Sequence, residues 1–341
     1  MKQTPPVADP FPILSPPCHW CELAENVLDG HRLTPAEGLG ILRAADEELL
    51  DLLVASYRVR HYYFGRRVDL NFLVNAKSGL CGENCSYCAQ SCVSTADIPH
   101  YKLISPDEIL EGARLAAQRK AKTYCTAISG RSPSDGELDV LTDVVRKIKA
   151  SYPLKICLSP GLLSLEQAQR LKAAGVDRIN HNLNTSRRHY PKICTTHSYD
   201  DRLATLRVVH QAGMEICSGG IVGMGEEDTD VVDLALQLAE LQVEAVPINF
   251  PIPIAGTELQ SSQRLNPRYC LKALVLFRLA NPRCELRIAG GRELHLGPLQ
   301  PLGLYPANSI FVGDYLTAKG QSPDEDYRMI EALGFEIGDC D

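Results

Sequence analysis

Short apolar segments alternate with longer amphipathic segments along most of the chain. The short segments have the length of buried strands, whereas the longer ones repeat apolar positions about every three or four residues, as helices do. The predicted strands cover residues 68–75, 122–129, 155–159, 176–183, 214–222, 245–250, 285–289 and 309–313. Predicted helices follow them at residues 105–119, 136–149, 164–174, 198–212, 229–241, 266–280 and 324–333.

This alternation predicts parallel strands joined by helices. Eight such units in a chain of 341 residues are expected to close into a (β/α)8 TIM barrel, which is an α/β fold. The alternative, an open doubly wound sheet, would have a glycine-rich phosphate loop after its first strand. Glycines cluster instead at residues 219–225, after the fifth predicted strand and without the required spacing. A closed barrel is therefore predicted.

The segment before the first strand is predicted to form a helical extension. The sequence TPAE at residues 34–37 combines a capping box with a proline at the first helical position, which opens a helix through residue 42. A second helix is expected over residues 46–64. The predicted organisation is a proline-rich, disordered tail at residues 1–17, a helical cap at residues 18–66 and the barrel at residues 67–338.

The composition is that of an ordinary globular protein, with 45% apolar and 23% charged residues and a net charge of −7. Nothing in this balance favours a nucleic-acid or anionic-membrane partner. No apolar run approaches the roughly 18 residues of a membrane span, and the N-terminus lacks the apolar core of a secretory signal. A cytoplasmic location is expected, where the thirteen cysteines stay reduced and able to bind metal.

The strongest chemical signal follows the first predicted strand. Cys81, Cys85 and Cys88 form a C-x3-C-x2-C array of soft ligands, close enough in sequence to hold one iron-sulfur cube. Three ligands leave one iron of a 4Fe-4S cluster open for chemistry. Zinc is the alternative, with Cys92 as a candidate fourth ligand, but the spacing is not a usual one for zinc.

This array resembles the signature of the radical S-adenosylmethionine enzymes. The resemblance implies that the open iron binds the amine and carboxylate of S-adenosylmethionine. It also implies that the reduced cluster cleaves this cofactor to a 5′-deoxyadenosyl radical. The array names no substrate, so the rest of the chain has to indicate what the radical attacks.

Polar side chains recur on the inward face of several predicted strands. Side chains alternate along a strand, so each of these polar positions lies opposite an apolar residue that would pack on the outer helices. The inward residues of interest are Cys125, Cys157, Cys217 and Arg287. A barrel interior is normally filled with branched apolar residues, and an uncompensated buried guanidinium is costly. Thiolates or a negatively charged cluster would compensate it, which predicts a second metal cluster inside the barrel.

From about residue 68 to residue 335 the chain resembles the biotin synthase family. The segments that carry the resemblance are NAKSGLCGENCSYCAQ (75–90), NHNLNTS (180–186), CSGGIVGMGE (217–226), VPIN (246–249), RIAGGRE (287–293) and ANSIFVGDYLT (307–317). The resemblance implies a TIM barrel with two clusters. It also implies a sulfurtransferase that inserts sulfur into dethiobiotin to form biotin, the last step of biotin biosynthesis.

The same resemblance implies roles for individual residues. Cys81, Cys85 and Cys88 would hold the 4Fe-4S cluster, and Cys125, Cys157, Cys217 and Arg287 a 2Fe-2S cluster that supplies the sulfur. S-adenosylmethionine would contact Tyr87, Asn182 and Asn184, and dethiobiotin would contact Asn180, Asn182 and Asn249. An asparagine amide both donates and accepts hydrogen bonds, which suits a ureido ring. Beyond the clusters and the cofactor, no catalytic side chain is expected.

One residue departs from the family pattern. The best-studied members carry aspartate in the motif NHNLDTS, where this chain has Asn184. An amide can still bond a ribose hydroxyl but lacks the charge that strengthens such a bond. The resemblance further implies a homodimer and a reductant such as flavodoxin or ferredoxin.

Four alternatives are open on sequence grounds. A related radical enzyme, such as the hydrogenase maturase or methylornithine synthase, would share the first cluster without needing the three inward cysteines and the arginine. An iron-sulfur electron carrier would usually saturate its cluster with four cysteines. The other two alternatives are a zinc-binding structural module and a metal-free barrel.

Seven further cysteines are interpreted as incidental thiols: Cys18, Cys21, Cys92, Cys194, Cys270, Cys284 and Cys340. Cys18 and Cys21 are expected to lie in a mobile leader.

Overall fold

Eight parallel strands close into a barrel within residues 19–338, the part of the chain that the computed structural model describes. The described residues form ten strands, eight of which make up the barrel: β1 (Arg67–Lys77), β2 (Thr123–Ile128), β3 (Lys155–Ser159), β4 (Arg178–Asn180), β5 (Glu215–Cys217), β6 (Gly220–Ile221), β7 (Ala245–Asn249), β8 (Glu285–Ile288), β9 (Ser309–Phe311) and β10 (Glu336–Ile337). The barrel runs β1-β2-β3-β4-β5-β7-β8-β9, and β9 pairs back with β1. The predicted TIM barrel is confirmed.

Helices surround this barrel and precede it. They are α1 (His19–Leu28), α2 (Pro35–Arg43), α3 (Leu49–Phe64), α4 (Pro106–Gln118), α5 (Asp135–Ser151), α6 (Leu165–Ala173), α7 (Tyr199–Gln211), α8 (Asp228–Glu240), α9 (Pro267–Ala280), α10 (Arg292–His295) and α11 (Pro323–Ala332). Capping boxes begin many of them, for example at Thr34, Ser105 and Ser134, where the N-cap hydroxyl accepts from the N3 backbone N–H. Because these capping boxes are local sequence patterns, the first residues of the helices could be predicted from the sequence.

The N-terminal extension packs on the outside of the barrel, where α2 and α3 lie against α9. Interpreting Cys21 as part of a mobile leader is wrong, because it lies in helix α1. Trp20 of this helix is buried and donates from Nε1 to Glu48 Oε2 at 2.8 Å, which ties the helix to the residues before α3. Three features lie outside the described residues: the predicted tail at residues 1–17, Cys18 and Cys340. No helix between residues 19 and 338 is long and apolar enough to cross a membrane.

The fifth predicted strand is interrupted in the structure. β5 ends at Cys217 and β6 begins at Gly220, because the backbone passes very close to β7 between them. A Cβ on Gly219 would lie 2.0 Å from the carbonyl oxygen of Pro247. Only glycine fits there, so the turn of the chain next to the inner cavity depends on this residue.

We expect Gly219→Ala to lower the free energy of unfolding by about 3 kcal/mol, the upper end of the usual cost of overpacking. The added methyl meets backbone, which cannot rotate away as a side chain could. Gly136→Ala in α5 is the matched control, because its Cβ would meet no atom within 4 Å. The control should be neutral or slightly stabilising, since alanine is the better helix former. Urea denaturation of both variants measures the difference, and equal midpoints would contradict it.

Candidate active site

Two adjoining cavities occupy the barrel and the loop that follows β1. The inner cavity, about 230 Å³, is bordered by Cys125, Cys157 and Arg287. The loop cavity, about 320 Å³, is bordered by Cys81, Cys85 and Cys88. The residues common to both walls include Tyr87, Asn180, Asn182 and Asn249. The two predicted sets of cysteines therefore face neighbouring spaces that share an amide-rich wall.

The loop after β1 directs its three cysteines to one cavity. Cys88 N–H donates to the Cys85 carbonyl at 3.1 Å, and Ser86 N–H donates to the Ile193 carbonyl at 2.9 Å, so a tight turn anchored to a second loop presents the thiols. Burial raises the pKa of the Cys88 thiol to about 11, so binding a metal here must displace a proton. Three soft donors on one cavity fit an iron-sulfur cube. Cys92, the candidate fourth ligand, is exposed and does not border this cavity.

The second set of cysteines forms a buried cluster inside the barrel. Cys125, Cys157 and Cys217 are 6%, 1% and 0% exposed and pack together with Ala245. The β2–β3 register pairs Cys125 directly with Cys157. Arg287 is 1% exposed and borders the same cavity. Strand alternation alone placed these four side chains on the inward face, and the structure brings them together. Cys125, Cys157 and Arg287 line the cavity and Cys217 packs behind them, a donor set that fits a small iron-sulfur cluster.

Arg287 is held by a buried carboxylate. Its Nη2 donates to Glu285 Oε1 at 2.6 Å, and Arg178 Nη1 donates to Glu285 Oε2 at 2.7 Å. Burial by itself would raise the pKa of Glu285, but the two guanidiniums hold that pKa well below its usual range. The carboxylate is therefore ionised and shared by two arginines. Arg287 Nε also donates to Ser309 Oγ at 3.4 Å, so these bonds hold the guanidinium in place at the edge of the inner cavity.

Glu285 belongs to a charged layer made by Lys155, Arg178, Glu215 and Glu285. Lys155 Nζ lies 2.8 Å from Glu215 Oε1, and Arg178 Nη2 lies 2.8 Å from Glu215 Oε2. Three of these residues, Lys155, Glu215 and Glu285, each precede a member of the inner set by two positions. Strand alternation already places Lys155 on the face of Cys157 and Ser159, and the same alternation could have found Glu215 and Glu285, which were not singled out from the sequence.

The asparagines of the shared wall are oriented by the residues around them. Asn180 Nδ2 lies 3.2 Å from Cys217 Sγ, and Asn182 Oδ1 accepts from Gly219 N–H at 3.1 Å. Asn249 Oδ1 accepts from Gly290 N–H at 3.0 Å. These contacts fix the amide directions before any ligand binds. The wall can therefore present both donors and acceptors to a polar ring without reorganising.

Asn184 borders the loop cavity but not the inner one. Its φ of 70° is in the left-handed region, which asparagine tolerates better than most residues. Its Nδ2 donates to the Tyr87 hydroxyl at 2.6 Å, and burial raises the pKa of that hydroxyl well above its usual value. Tyr87 and Asn184 are thus coupled neighbours, on the side where the cofactor was predicted.

A fourth thiol beside the cysteine loop was not indicated by the sequence. Cys194 Sγ lies 3.7 Å from Cys85 Sγ, although 109 residues separate the two in the chain. Cys194 is buried, and His197 lies next to it. Cysteine spacing contains no sign of such a contact, because it arises only when the loop after β4 folds over the loop after β1.

Two family profiles cover most of the described chain. The Radical SAM superfamily profile matches residues 77–238, and the Biotin and Thiamin Synthesis associated domain matches residues 247–336. The first match includes the cysteine loop, and the second includes Arg287. Together they span the elements that border both cavities.

Curated relatives match nearly the whole chain. The biotin synthase of Rhodopirellula baltica is 53% identical over 96% of this chain and 92% of its own length. That of Geobacillus kaustophilus is 55% identical over 94% of this chain and 96% of its own. The biotin synthase of Bacillus subtilis is 51% identical over 93% of this chain and 95% of its own length.

Solved structures with this fold are more distant in sequence. Methylornithine synthase (PylB) has a TM-score of 0.80 at 21% identity and covers 93% of this chain and 98% of its own. The hydrogenase maturase HydG of Carboxydothermus hydrogenoformans has a TM-score of 0.78 at 17% identity. The match covers 93% of this chain and 78% of HydG. These likenesses show the fold alone. The family is decided by the identity to the curated relatives: this chain belongs to the biotin synthase family of radical S-adenosylmethionine enzymes.

Proposed function

We propose that this enzyme inserts sulfur between two unactivated carbons of dethiobiotin to form biotin, with an auxiliary cluster in the barrel as the sulfur source. The observation that carries the proposal is the shared wall. Asn180, Asn182 and Asn249 border both the cavity of the first cysteine set and that of the second. A substrate held by this wall would have a site for radical generation on one side and a sulfur source on the other.

Two clusters are part of this proposal, each with its own residues. Cys81, Cys85 and Cys88 would hold a 4Fe-4S cluster, and Cys125, Cys157, Cys217 and Arg287 a 2Fe-2S cluster. When bound, the first cluster with S-adenosylmethionine supplies the radical, and the second supplies the sulfur. The chain's own task is to position the reactants and to exclude water. The aromatic and aliphatic walls of the inner cavity serve the second purpose.

The amide directions support the placement of the substrate. Asn249 and Asn180 carry side chains already fixed at the inner cavity, where a ureido ring needs both donors and acceptors. The apolar lining, including Ile221, Phe250 and Leu316, suits the aliphatic chain of dethiobiotin. Asn182 lies between, with Tyr87 and Asn184 on the side proposed for S-adenosylmethionine. Polar and apolar parts of the cavity thus match the two ends of the substrate.

The proposal extends to the partners of the reaction. Electrons must come from outside the barrel, and a flavodoxin or ferredoxin is the proposed donor. A homodimer and a cytoplasmic location are proposed with it. The cysteines among residues 19–338 form no disulfide, which agrees with a reducing compartment.

Anaerobic reconstitution with iron and sulfide tests the function directly. The reconstituted enzyme receives S-adenosylmethionine, reductant and dethiobiotin, and both 5′-deoxyadenosine and biotin are quantified. We expect both products, with less 5′-deoxyadenosine when dethiobiotin is left out. Formation of 5′-deoxyadenosine without biotin would point to a different substrate and would overturn the proposed reaction. Formation of neither product would remove the support for a radical mechanism.

We expect Asn184→Ala to weaken S-adenosylmethionine binding by about fivefold, since one net hydrogen bond contributes about 1 kcal/mol. The change removes the amide that contacts Tyr87 and faces the proposed cofactor position. Asn184→Asp is the matched control, because aspartate also tolerates the left-handed backbone and keeps an acceptor. Calorimetric titration of the reconstituted variants measures the affinity. Equal affinity in the alanine variant would place the cofactor elsewhere.

A further inference from the structure

A group of metal-binding side chains lies beside the cysteine loop and includes residues with no assigned role. Cys194 Sγ is 3.7 Å from Cys85 Sγ and 3.3 Å from His197 Nδ1. One ligand atom from each of these three residues lies within 4.8 Å of the other two, and all three residues are buried. Two thiols and an imidazole are thereby gathered in one place, away from solvent.

The backbone holds this group together. Asn84 Oδ1 accepts from the backbone N–H groups of Thr195 at 3.0 Å and of Thr196 at 3.2 Å. On the other side of Cys85, Ser86 N–H donates to the Ile193 carbonyl at 2.9 Å. Hydrogen bonds therefore join the two loops on both sides of the thiol pair. The closeness of the sulfur atoms follows from these fixed contacts and not from two flexible side chains.

The distances match those of a zinc site. Two sulfur ligands, each about 2.3 Å from a tetrahedral zinc ion, are about 3.8 Å apart, and a sulfur and an imidazole nitrogen about 3.5 Å. The observed distances, 3.7 Å between Cys85 and Cys194 and 3.3 Å between Cys194 and His197, lie close to both values. To accommodate the ion, the 2.5 Å contact between His197 Nδ1 and Glu83 Oε2 must also open, because two ligands of one tetrahedral ion lie farther apart than that.

The surroundings of His197 are those of a metal ligand. Its Nε2 lies 2.9 Å from the Tyr190 hydroxyl, while Nδ1 faces Cys194. A second ring nitrogen fixed by a hydrogen bond is the usual arrangement for a ligating histidine. Glu83, 6% exposed, places Oε2 2.5 Å from His197 Nδ1 and Oε1 3.1 Å from Arg131 Nη1. Glu83 Oε2 also accepts from the Thr196 hydroxyl at 2.5 Å, so the carboxylate is held beside Nδ1 and would exchange these contacts to become a fourth ligand.

We propose that the cluster-free enzyme captures Zn²⁺ on Cys85, Cys194 and His197, with Glu83 beside the fourth position. This ligand set differs from the one that would hold the 4Fe-4S cluster, and the two share only Cys85. One consequence rests on the proposed function: because one sulfur cannot serve both sets, captured zinc delays assembly of the 4Fe-4S cluster. Cys194 then makes cluster loading sensitive to zinc.

Cobalt titration of full-length, cluster-free protein tests the site. Co²⁺ serves as the probe because its thiolate complexes absorb strongly, and the protein is kept anaerobic with a phosphine reductant. We expect one equivalent to bind with a tetrahedral spectrum that Zn²⁺ abolishes. Cys194→Ser and His197→Ala should each weaken binding by at least about 100-fold, as the loss of a direct ligand should cost no less than the loss of an outer-shell partner. Absence of tetrahedral Co²⁺ would overturn the proposal.

Matched variants separate this site from the cluster cysteines. The double variant Cys81→Ser/Cys88→Ser removes two proposed cluster ligands, and Cys92→Ser removes an exposed thiol of the same loop. Both should bind Co²⁺ like the unaltered protein. Circular dichroism verifies that every variant is folded. Loss of binding in the double variant, with retention in Cys194→Ser, would assign the ion to the cluster cysteines and contradict the proposal.

A reconstitution experiment tests the consequence. One equivalent of Zn²⁺ added before iron and sulfide should slow the growth of 4Fe-4S absorption in the unaltered protein but not in Cys194→Ser. Equal slowing in both would overturn the proposed exclusion. The cobalt titration uses neither S-adenosylmethionine nor dethiobiotin, so its failure would leave biotin formation untouched. Failure to form biotin would likewise leave the cobalt result standing.

Discussion

Cys217→Ala is expected to abolish biotin formation while the spectrum of the 4Fe-4S cluster persists. Cys217 is 0% exposed and packs with Cys125 and Cys157, whereas the thiols of the cysteine loop border a different cavity. Removing it takes one proposed ligand from the sulfur-supplying cluster and leaves the radical-generating one complete. We expect the yield of biotin to fall at least about 100-fold, since even outer-shell changes at metal sites cost 10- to 100-fold.

Electron paramagnetic resonance of the reduced protein and a biotin assay measure the two effects separately. Cys270→Ala is the matched control, because Cys270 is an equally buried thiol on the outer helix α9. The control should retain both clusters and biotin formation. Normal biotin formation by Cys217→Ala would show that the inner cysteines are not the source of sulfur. Loss of the 4Fe-4S signal would indicate general damage to the barrel.

Glu285→Ala is expected to lower the free energy of unfolding by about 3–5 kcal/mol, the usual cost of leaving a buried charge without its partner. The reason is that Glu285 is shared by Arg178 and Arg287, which are 3% and 1% exposed. Asp143→Ala is the control, because its ion pair with Lys147 has more than half of each side chain exposed. The control should change stability by less than about 1 kcal/mol.

The pH dependence of unfolding gives an independent measure of how much the Glu285 carboxylate contributes to stability. Because the pKa of Glu285 is held well below its usual range in the folded protein, its contribution to stability is present at neutral pH. That contribution is lost as the pH falls below the unfolded value of about 4.3 and through the folded pKa. Urea midpoints measured from pH 7 downwards should therefore converge for the unaltered protein and Glu285→Ala. Parallel curves would contradict the role given to this carboxylate.

The barrel and most of its inner site could be read from the sequence because both follow local rules. Alternation along a strand fixes the face of each side chain, so Cys157 and Arg287 were placed inward without a structure. Capping residues such as Ser134 fixed where helices begin. The charged layer follows from the same alternation, since Glu285 lies two positions before Arg287. Alternation fixes the face of each charge but cannot show that Lys155, Arg178, Glu215 and Glu285 pair with one another, because the pairing joins four different strands.

Other features depend on contacts that no local rule contains. Cys194 meets Cys85 because hydrogen bonds join the two loops: Asn84 Oδ1 accepts from Thr195 N–H, and Ser86 N–H donates to the Ile193 carbonyl. The break between β5 and β6 depends on the approach of Gly219 to the backbone of Pro247. Helix α1 is short, and it is stabilised by the burial of its apolar face, including Trp20, against distant parts of the chain. In each case the deciding partner is far away in the chain.

The charged layer also limits the side from which a substrate can enter the barrel. Arg178 and Glu285 lie below Cys157, Cys217 and Arg287 and fill the barrel with ionised groups that a neutral aliphatic molecule would not cross. The inner cavity adjoins the loop cavity through the wall that the two share. A neutral substrate is therefore expected to reach the inner cavity from the side away from the charged layer. On the proposed function, the iron and sulfide that rebuild a consumed cluster would reach it from that same side.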